Sequence, residues 1–523
     1  MRSLRISTLL LLCSAACDRI DPVPLDDRSA AAEPLICFEL LDAGRSGIDG
    51  IYTWGVAIND FDRDGDQDIF FATRKPNVRG PEMARRDLLY RNDGDLTFSR
   101  IGGRRGIRRR SMAQGAVWGD LNGDGFDDLY VTTLRGSPNR LYYNNGDGTF
   151  VEAAKRAGVG SLVFGKGASL ADVDADGRLD IYVANALVGR DGREGYRGIP
   201  NQLFVNRGER RFVDMASAIG VEGLDRGEGY NGGFSDLNND GIPDLLVTND
   251  YREDQLFVSD RDEKGGAAIA FRRRHVLTHR SGAMGVAFGD YDNDGDFDFY
   301  LTNYNPDILF DNVNGTMFND VSRASGIHEY TRDVVGMGAA FADLDNDGDL
   351  DLCVSNGQVD SIEPQRNAIF ENLGEGCFAD ITPSAGPGLA DFRHSQGLAV
   401  GDLDNDGRVD VVVGNDDGSA PSILINRTAD VGGWVRLLLV GRAPNTSAIG
   451  ARVSLSSGDL TQVRERRAGT SYLSCNENVL HFGLGDYDGT SRARIRWPDG
   501  SVSEEGGLKP RSTVTIVQPD LAE

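Results

Sequence analysis

One acidic nine-residue segment, D-x-D/N-x-D-G-x-x-D, is written seven times in this chain, starting at Asp60, Asp120, Asp172, Asp236, Asp290, Asp343 and Asp402. Oxygen-bearing side chains recur at positions 1, 3, 5 and 9. They are Asp60, Asp62, Asp64 and Asp68 in the first copy, then Asp120, Asn122, Asp124 and Asp128, then Asp172, Asp174, Asp176 and Asp180. The fourth and fifth copies carry Asp236, Asn238, Asp240 and Asp244, and Asp290, Asp292, Asp294 and Asp298. The last two carry Asp343, Asp345, Asp347 and Asp351, and Asp402, Asp404, Asp406 and Asp410. Position 6 is always Gly, as a sharp turn requires. Position 7 varies freely (Asp66, Phe126, Arg178, Ile242, Asp296, Asp349, Arg408), as expected where only the backbone carbonyl ligates and the side chain is unconstrained. Such a loop can wrap a hard cation. Calcium takes six to eight oxygens at about 2.3–2.6 Å in forgiving geometry, so the expected cofactor is Ca²⁺, up to seven ions. A single copy reads equally well as a solvated acidic turn. Seven copies in register argue for the metal.

No copy has the Glu at position 12 that closes a helix–loop–helix calcium site. Strand-like runs follow instead, such as Ile69 to Ala72, Leu129 to Thr132 and Val411 to Val413. Position 2 is apolar throughout (Phe61, Leu121, Val173, Leu237, Tyr291, Leu344, Leu403), as if anchored in a core. The loop therefore joins two strands.

Successive copies stand 52 to 64 residues apart, a period that signals a repeat array such as a propeller. A Gly lies five residues before the first Asp in six copies, and Asn231 holds that place in the fourth. A second strand of the type Leu-Tyr/Phe-x-Asn follows each loop, ending in Asn92, Asn144, Asn206, Asn312, Asn372 and Asn426, with Ser259 in the fourth repeat. Phe-led strands begin at Phe98, Phe150, Phe212, Phe271, Phe318 and Phe378. The missing seventh is found ahead of the first loop, at Phe38, where it would complete the last blade beside Ile423 to Asn426 and close the ring. The expected fold is all-β: a seven-bladed β-propeller with calcium loops over residues 37–428, followed by a small all-β C-terminal domain over 429–519. Alternating and β-branched runs from Trp434 to Val517 support the second part.

Lys and Arg total 55 and Asp and Glu 81, a formal charge of −26. The loops hold 26 carboxylates at positions 1, 3, 5 and 9, so the acidity is mostly ligand chemistry. Nothing points to nucleic acid. The basic run Arg104 to Arg110 is short and reads as a solvated inter-blade loop.

Residues 1–17 join a basic start (Arg2, Arg5) to a short apolar run and small residues, the pattern of an export signal. The stretch before Cys17 resembles a bacterial lipoprotein cleavage box, with plain secretion as the alternative. Membrane contact would then run only through a lipid anchor at Cys17. Residues 18–36 read as a flexible tether. Cys37, Cys353, Cys377 and Cys475 show no C-x-x-C spacing and are expected to be free, Cys353 and Cys377 as buried thiols.

The repeats resemble the FG-GAP/VCBS repeats of integrin α-type propellers. The tail, with Asn445 to Val453, Gly469 to Tyr472, His481 to Gly485 and Arg496 to Gly500, is similar to the ASPIC/UnbV domain. The two together resemble the cartilage acidic protein family, bacterial exported type. That resemblance implies extracellular calcium binding and, in animals, adhesion or matrix interaction. The expectation is an exported, calcium-binding, non-enzymatic surface scaffold whose partner is an extracellular protein or glycan. The alternatives are a polysaccharide lyase or hydrolase, or a lectin, using the propeller face. His275 and His279 are four apart but lie in strand and loop, where they do not share a face. Trp54 and Trp118 read as core. The partner surface is expected on inter-blade loops such as 187–200 or on the C-terminal domain.

Overall fold

The computed structural model describes residues 36–520 apart from 75–84, 108–109, 135–136, 187–198, 224–228, 251, 260–269, 278–279, 305, 358–362, 390 and 430. The export signal with Cys13 and Cys17, the tether up to residue 35, Arg108 and Arg109, His279 and most of the 187–200 loop lie outside the described residues. No described helix is long and apolar enough to cross a membrane.

Each acidic loop joins two antiparallel strands, and its position-9 Asp is the first residue of the second. Seven four-stranded sheets result. In the first, Tyr52–Asn59, Asp68–Arg74, Leu88–Asn92 and Phe98–Arg100 follow in order. In the last, Phe38–Leu40 supplies the fourth strand, with Phe38 opposite Asn426. The chain closes on itself as the displaced Phe-led strand predicts. The first strands of the seven sheets pack against one another in cyclic order, so the sheets form a ring. Apolar residues of neighbouring sheets fill the space between them, as where Phe61, Trp118 and Phe150 meet.

The C-terminal domain has a three-stranded and a four-stranded sheet around Leu437, Val453, Phe482 and Trp497. It contains two strands not anticipated, Leu460–Glu465 and Val502–Leu508. Its segment 466–477 enters the ring and bonds to the first strand of every sheet. Val56, Ala116, Leu170, Val286 and Val400 exchange backbone hydrogen bonds with Cys475, Leu473, Ala468, Ser471 and Glu477. Asn231 donates to the Ser471 carbonyl, and the Ala339 N–H donates to the Ser471 hydroxyl. Inner strands of a ring carry unpaired backbone groups, and this plug satisfies part of them.

The recurrent Gly before each loop now has a cause. A Cβ on Gly55 would lie 2.3 Å from the Leu473 carbonyl oxygen, and one on Gly397 would lie 2.3 Å from the Ser474 hydroxyl. Asn231, the exception, uses its side chain to hold the plug. Cys377 is disulfide-bonded, against the free thiol expected of it, while Cys37, Cys353 and Cys475 are free.

Candidate metal centres on the loop face

All seven loops share one backbone form. Position 4 is left-handed in each, from Ala175 at φ 55° to Gly123 at 77°, and position 6 is Gly at φ 84–104°. That pair of turns folds positions 1, 3 and 5 inward. The apolar position-2 residues are all buried, as expected. The position-9 carboxylate locks the loop to its sheet. Asp128 accepts from the Leu121 N–H at 3.0 Å and from the Asn144 N–H at 2.8 Å. Asp68, Asp180, Asp244, Asp298, Asp351 and Asp410 repeat this pair of bonds.

Three carboxylates converge, with ligand oxygens within 4.8 Å of one another, in five loops. The groups are Asp60, Asp62 and Asp68; Asp172, Asp174 and Asp180; Asp290, Asp292 and Asp294; Asp343, Asp345 and Asp347; and Asp402, Asp404 and Asp410. One oxygen each of Asp62, Asp174, Asp290 and Asp404 is buried with no hydrogen-bond partner among the described residues. Burial without a partner is costly for a carboxylate. Burial itself, more than the hydrogen bonds they accept can offset, pushes Asp60 and Asp402 up to about 6, Asp172, Asp292 and Asp347 to about 7, and Asp68 to about 9. The orphaned oxygens and raised carboxyls fit a bound cation. Among the described residues, the loops with Asn122 and Asn238 form no such three-carboxylate group.

Six position-7 side chains are engaged rather than unconstrained. Arg178 and Arg408 pair with the position-5 carboxylates Asp176 and Asp406. Asp66, Asp296 and Asp349 accept from the position-4 amides of the preceding loops, Asn405, Asn239 and Asn293, at 2.9, 2.6 and 2.7 Å. Arg63 lies 4.4 Å over the Phe126 ring. Loop is thus tied to loop around much of the ring. Within the five converging loops, Asp64, Asp176, Asp298, Asp351 and Asp406 stand outside the three-carboxylate groups.

The C-terminal domain covers this face and brings arginines to it. Arg436 is buried between Asp402 at 2.9 Å and Glu477 at 2.7 Å. The Gly483 N–H donates to Asp343 at 3.0 Å, and the Thr446 hydroxyl donates to Asp120 at 2.5 Å. A cavity of about 130 Å³ remains between ring and domain, lined by Arg464, Arg466, Arg467, Glu465, Glu477 and His481. His481 meets Asn346 at 2.6 Å, and burial with Arg436 and Arg464 nearby pushes it down to about 3. Part of the acidity therefore answers cations within the chain, which composition alone does not reveal. Runs such as Arg464-Glu-Arg-Arg467 were the available signal.

At the other end of the channel the plug tip Tyr472 stacks on Tyr230, with centroids 6.3 Å apart, and its hydroxyl accepts from Lys166 at 3.3 Å. Trp118 is core, as expected. Trp54 is only half-buried and donates to Asp416 at 2.7 Å.

The FG-GAP-like repeat family matches residues 60–131, 120–183, 236–301, 292–354 and 358–413. The ASPIC and UnbV family matches 441–523. Cartilage acidic protein 1 of Homo sapiens is 26% identical over 518 residues, covering 92% of this chain and 74% of its own length. The Xenopus tropicalis protein of the same name is 27% identical, covering 86% and 71%. Among solved structures, an Agrocybe aegerita lectin that recognises non-reducing terminal N-acetylglucosamine aligns at TM-score 0.40 and 17% identity, over 66% of this chain and 88% of its own. BBS1N, solved in complex with ARL6DN, aligns at 0.44 and 8%, over 76% and 99%. Neither structural likeness carries a functional argument.

Proposed function

Because the chain belongs to the FG-GAP-like repeat family and ends in an ASPIC and UnbV domain, we propose that it is an exported, calcium-binding, non-enzymatic surface scaffold that binds protein or glycan. The observation that carries the calcium part is the set of five three-carboxylate groups, four of which hold a buried oxygen without a partner. Hard oxygen donors of this number suit calcium better than soft-ligand metals. In those loops, positions 1, 3, 5 and 9 would hold the ion, and the ion would offset the repulsion among the carboxylates. Calcium is then structural. It rigidifies loops that are linked to one another and to the C-terminal domain.

The loop face is largely covered by that domain, so partner contact falls to the opposite face, the outer strands and the outer surface of the C-terminal domain. Calcium titration of the full chain by calorimetry tests the metal. Saturation at fewer than three ions per chain would contradict it. A glycan and protein binding screen, run in calcium and in EDTA, tests the scaffold. Turnover of a polysaccharide by the purified chain would overturn the non-enzymatic reading.

A further inference from the structure

The fourth loop keeps the backbone bonds common to the loops but differs in what meets its ligand side chains. Asp236, Asp240 and Asp244 form no three-carboxylate group, and none of their oxygens is buried without a partner among the described residues. Arg496, at the end of the strand Ser491–Arg496, pairs through Nη2 with Oδ2 of Asp236. Its Nη1 donates to the Asn239 carbonyl at 3.3 Å. The same Asp236 oxygen accepts from the Gly241 N–H at 3.0 Å, and its Oδ1 accepts from the Asp240 N–H at 3.0 Å. Position 3 is Asn238, whose amide donates to Asp240 Oδ2 at 3.1 Å. Asp244 accepts from the Leu237 N–H at 3.1 Å and from both the N–H and the hydroxyl of Ser259, at 2.8 and 3.2 Å. The hydroxyl bond is peculiar to this repeat, where Ser replaces the usual Asn.

An arginine near position 1 does not by itself disqualify a loop. Arg436 reaches Asp402, yet Asp402, Asp404 and Asp410 still converge and Asp404 keeps an orphaned oxygen. Loop four lacks both of those features. Its position-1 carboxylate is 4% exposed in its side chain, and the Arg496 guanidinium lies directly against it. A calcium ion entering there would meet a guanidinium at position 1, an amide in place of a carboxylate at position 3, and no converging group of three carboxylates.

Building on the calcium reading of the other loops, we propose that loop four takes no calcium: the guanidinium of Arg496 is its resident cation, and the loop is a latch that holds the C-terminal domain to the ring whether or not metal is present. The ring thus exchanges one metal site for a permanent contact between domains.

Crystals of the full chain grown in millimolar calcium, measured for calcium anomalous scattering, decide the point without any substitution. The expected map has peaks in the loops that begin at Asp60, Asp172, Asp290, Asp343 and Asp402, and none in the loop that begins at Asp236. A peak within ligand distance of Asp236 and Asp240 overturns the latch. A map with no calcium in any loop sinks the calcium reading instead. Melting in EDTA then decides the latch alone. Arg496→Gln and Asp236→Asn are each expected to lower the midpoint by roughly 2–4 °C, and the double variant to melt no lower than either. Additive losses overturn the proposal.

Discussion

The side-chain amide of Asn144 donates at 2.8 Å to the backbone carbonyl of Phe61, joining the third strand of the second sheet to the loop of the first. The same bond runs from Asn92 to Leu403, Asn206 to Leu121, Asn312 to Leu237, Asn372 to Tyr291 and Asn426 to Leu344, at 2.7–3.0 Å. The Asn that closes each Leu-Tyr/Phe-x-Asn strand is therefore a staple between sheets. Only the fourth repeat, with Ser259, lacks an Asn there.

Removing one staple leaves a buried carbonyl without its partner. Asn144→Ala is expected to cost about 1–3 kcal/mol. Urea unfolding checks this as a lower midpoint at unchanged slope. The substitution Asn144→Ser would copy the fourth repeat and is expected to cost less than Asn144→Ala.

Calcium should stabilise the chain, and the gain should depend on pH. Without metal, Asp60 and Asp402 at about 6 and Asp172, Asp292 and Asp347 at about 7 hold protons in the fold that they release on unfolding, where the ordinary value is 3.8. A raised folded value favours the fold at low pH, and that contribution is lost as pH rises from about 4 to about 7. Metal-free protein should therefore melt lower at pH 7.5 than at pH 5. Calcium competes with these protons, so its effect should be larger at pH 7.5. At tenfold excess over Kd each site contributes about 1.4 kcal/mol. Melting scans at both pH values, in EDTA and in millimolar calcium, measure the difference. An equal calcium shift at pH 5 and 7.5 would contradict this account.

Arg436 sits between Asp402 and Glu477 with its side chain only 2% exposed. Arg436→Met leaves two buried carboxylates facing each other. A broken buried ion pair costs about 3–5 kcal/mol. The loss should show in equilibrium unfolding and should shrink in saturating calcium, which supplies positive charge at Asp402.

The plug's bonds to every inner strand should make ring and C-terminal domain one cooperative unit. Leu473 is 2% exposed and packs with Met284, Val335 and Met337 inside the channel. Leu473→Ala should cost about 2–5 kcal/mol. Calorimetry should show one shared transition for the wild-type chain. Two well-separated transitions would show that the plug does not couple the parts.

Much of this molecule is legible in its sequence because its chemistry is local. A nine-residue loop carries its own turns, at the position-4 residue and the position-6 Gly, and its own ligands. Strand alternation and the displaced Phe38 fix where the ring closes. Nothing local explains why Asn231 replaces Gly or why Arg464, Arg466 and Arg467 crowd together. Those answers need partners more than a hundred residues away, in the plug or on the loop face. The side chains at position 7 show the same limit, since Asp66 is held by Asn405, 339 residues along the chain but in the neighbouring loop of the closed ring.

The sequence by itself determined the repeat, the strand order of the ring and the carboxylates that could hold a metal, because each rests on spacing within a few tens of residues. Only the tertiary structure decided which loops keep free oxygens and which give them to the C-terminal domain. That choice depends on how an arginine-bearing surface and a plug, encoded after the last loop, meet an acidic face, and long-range complementarity of that kind leaves no periodic trace in the chain.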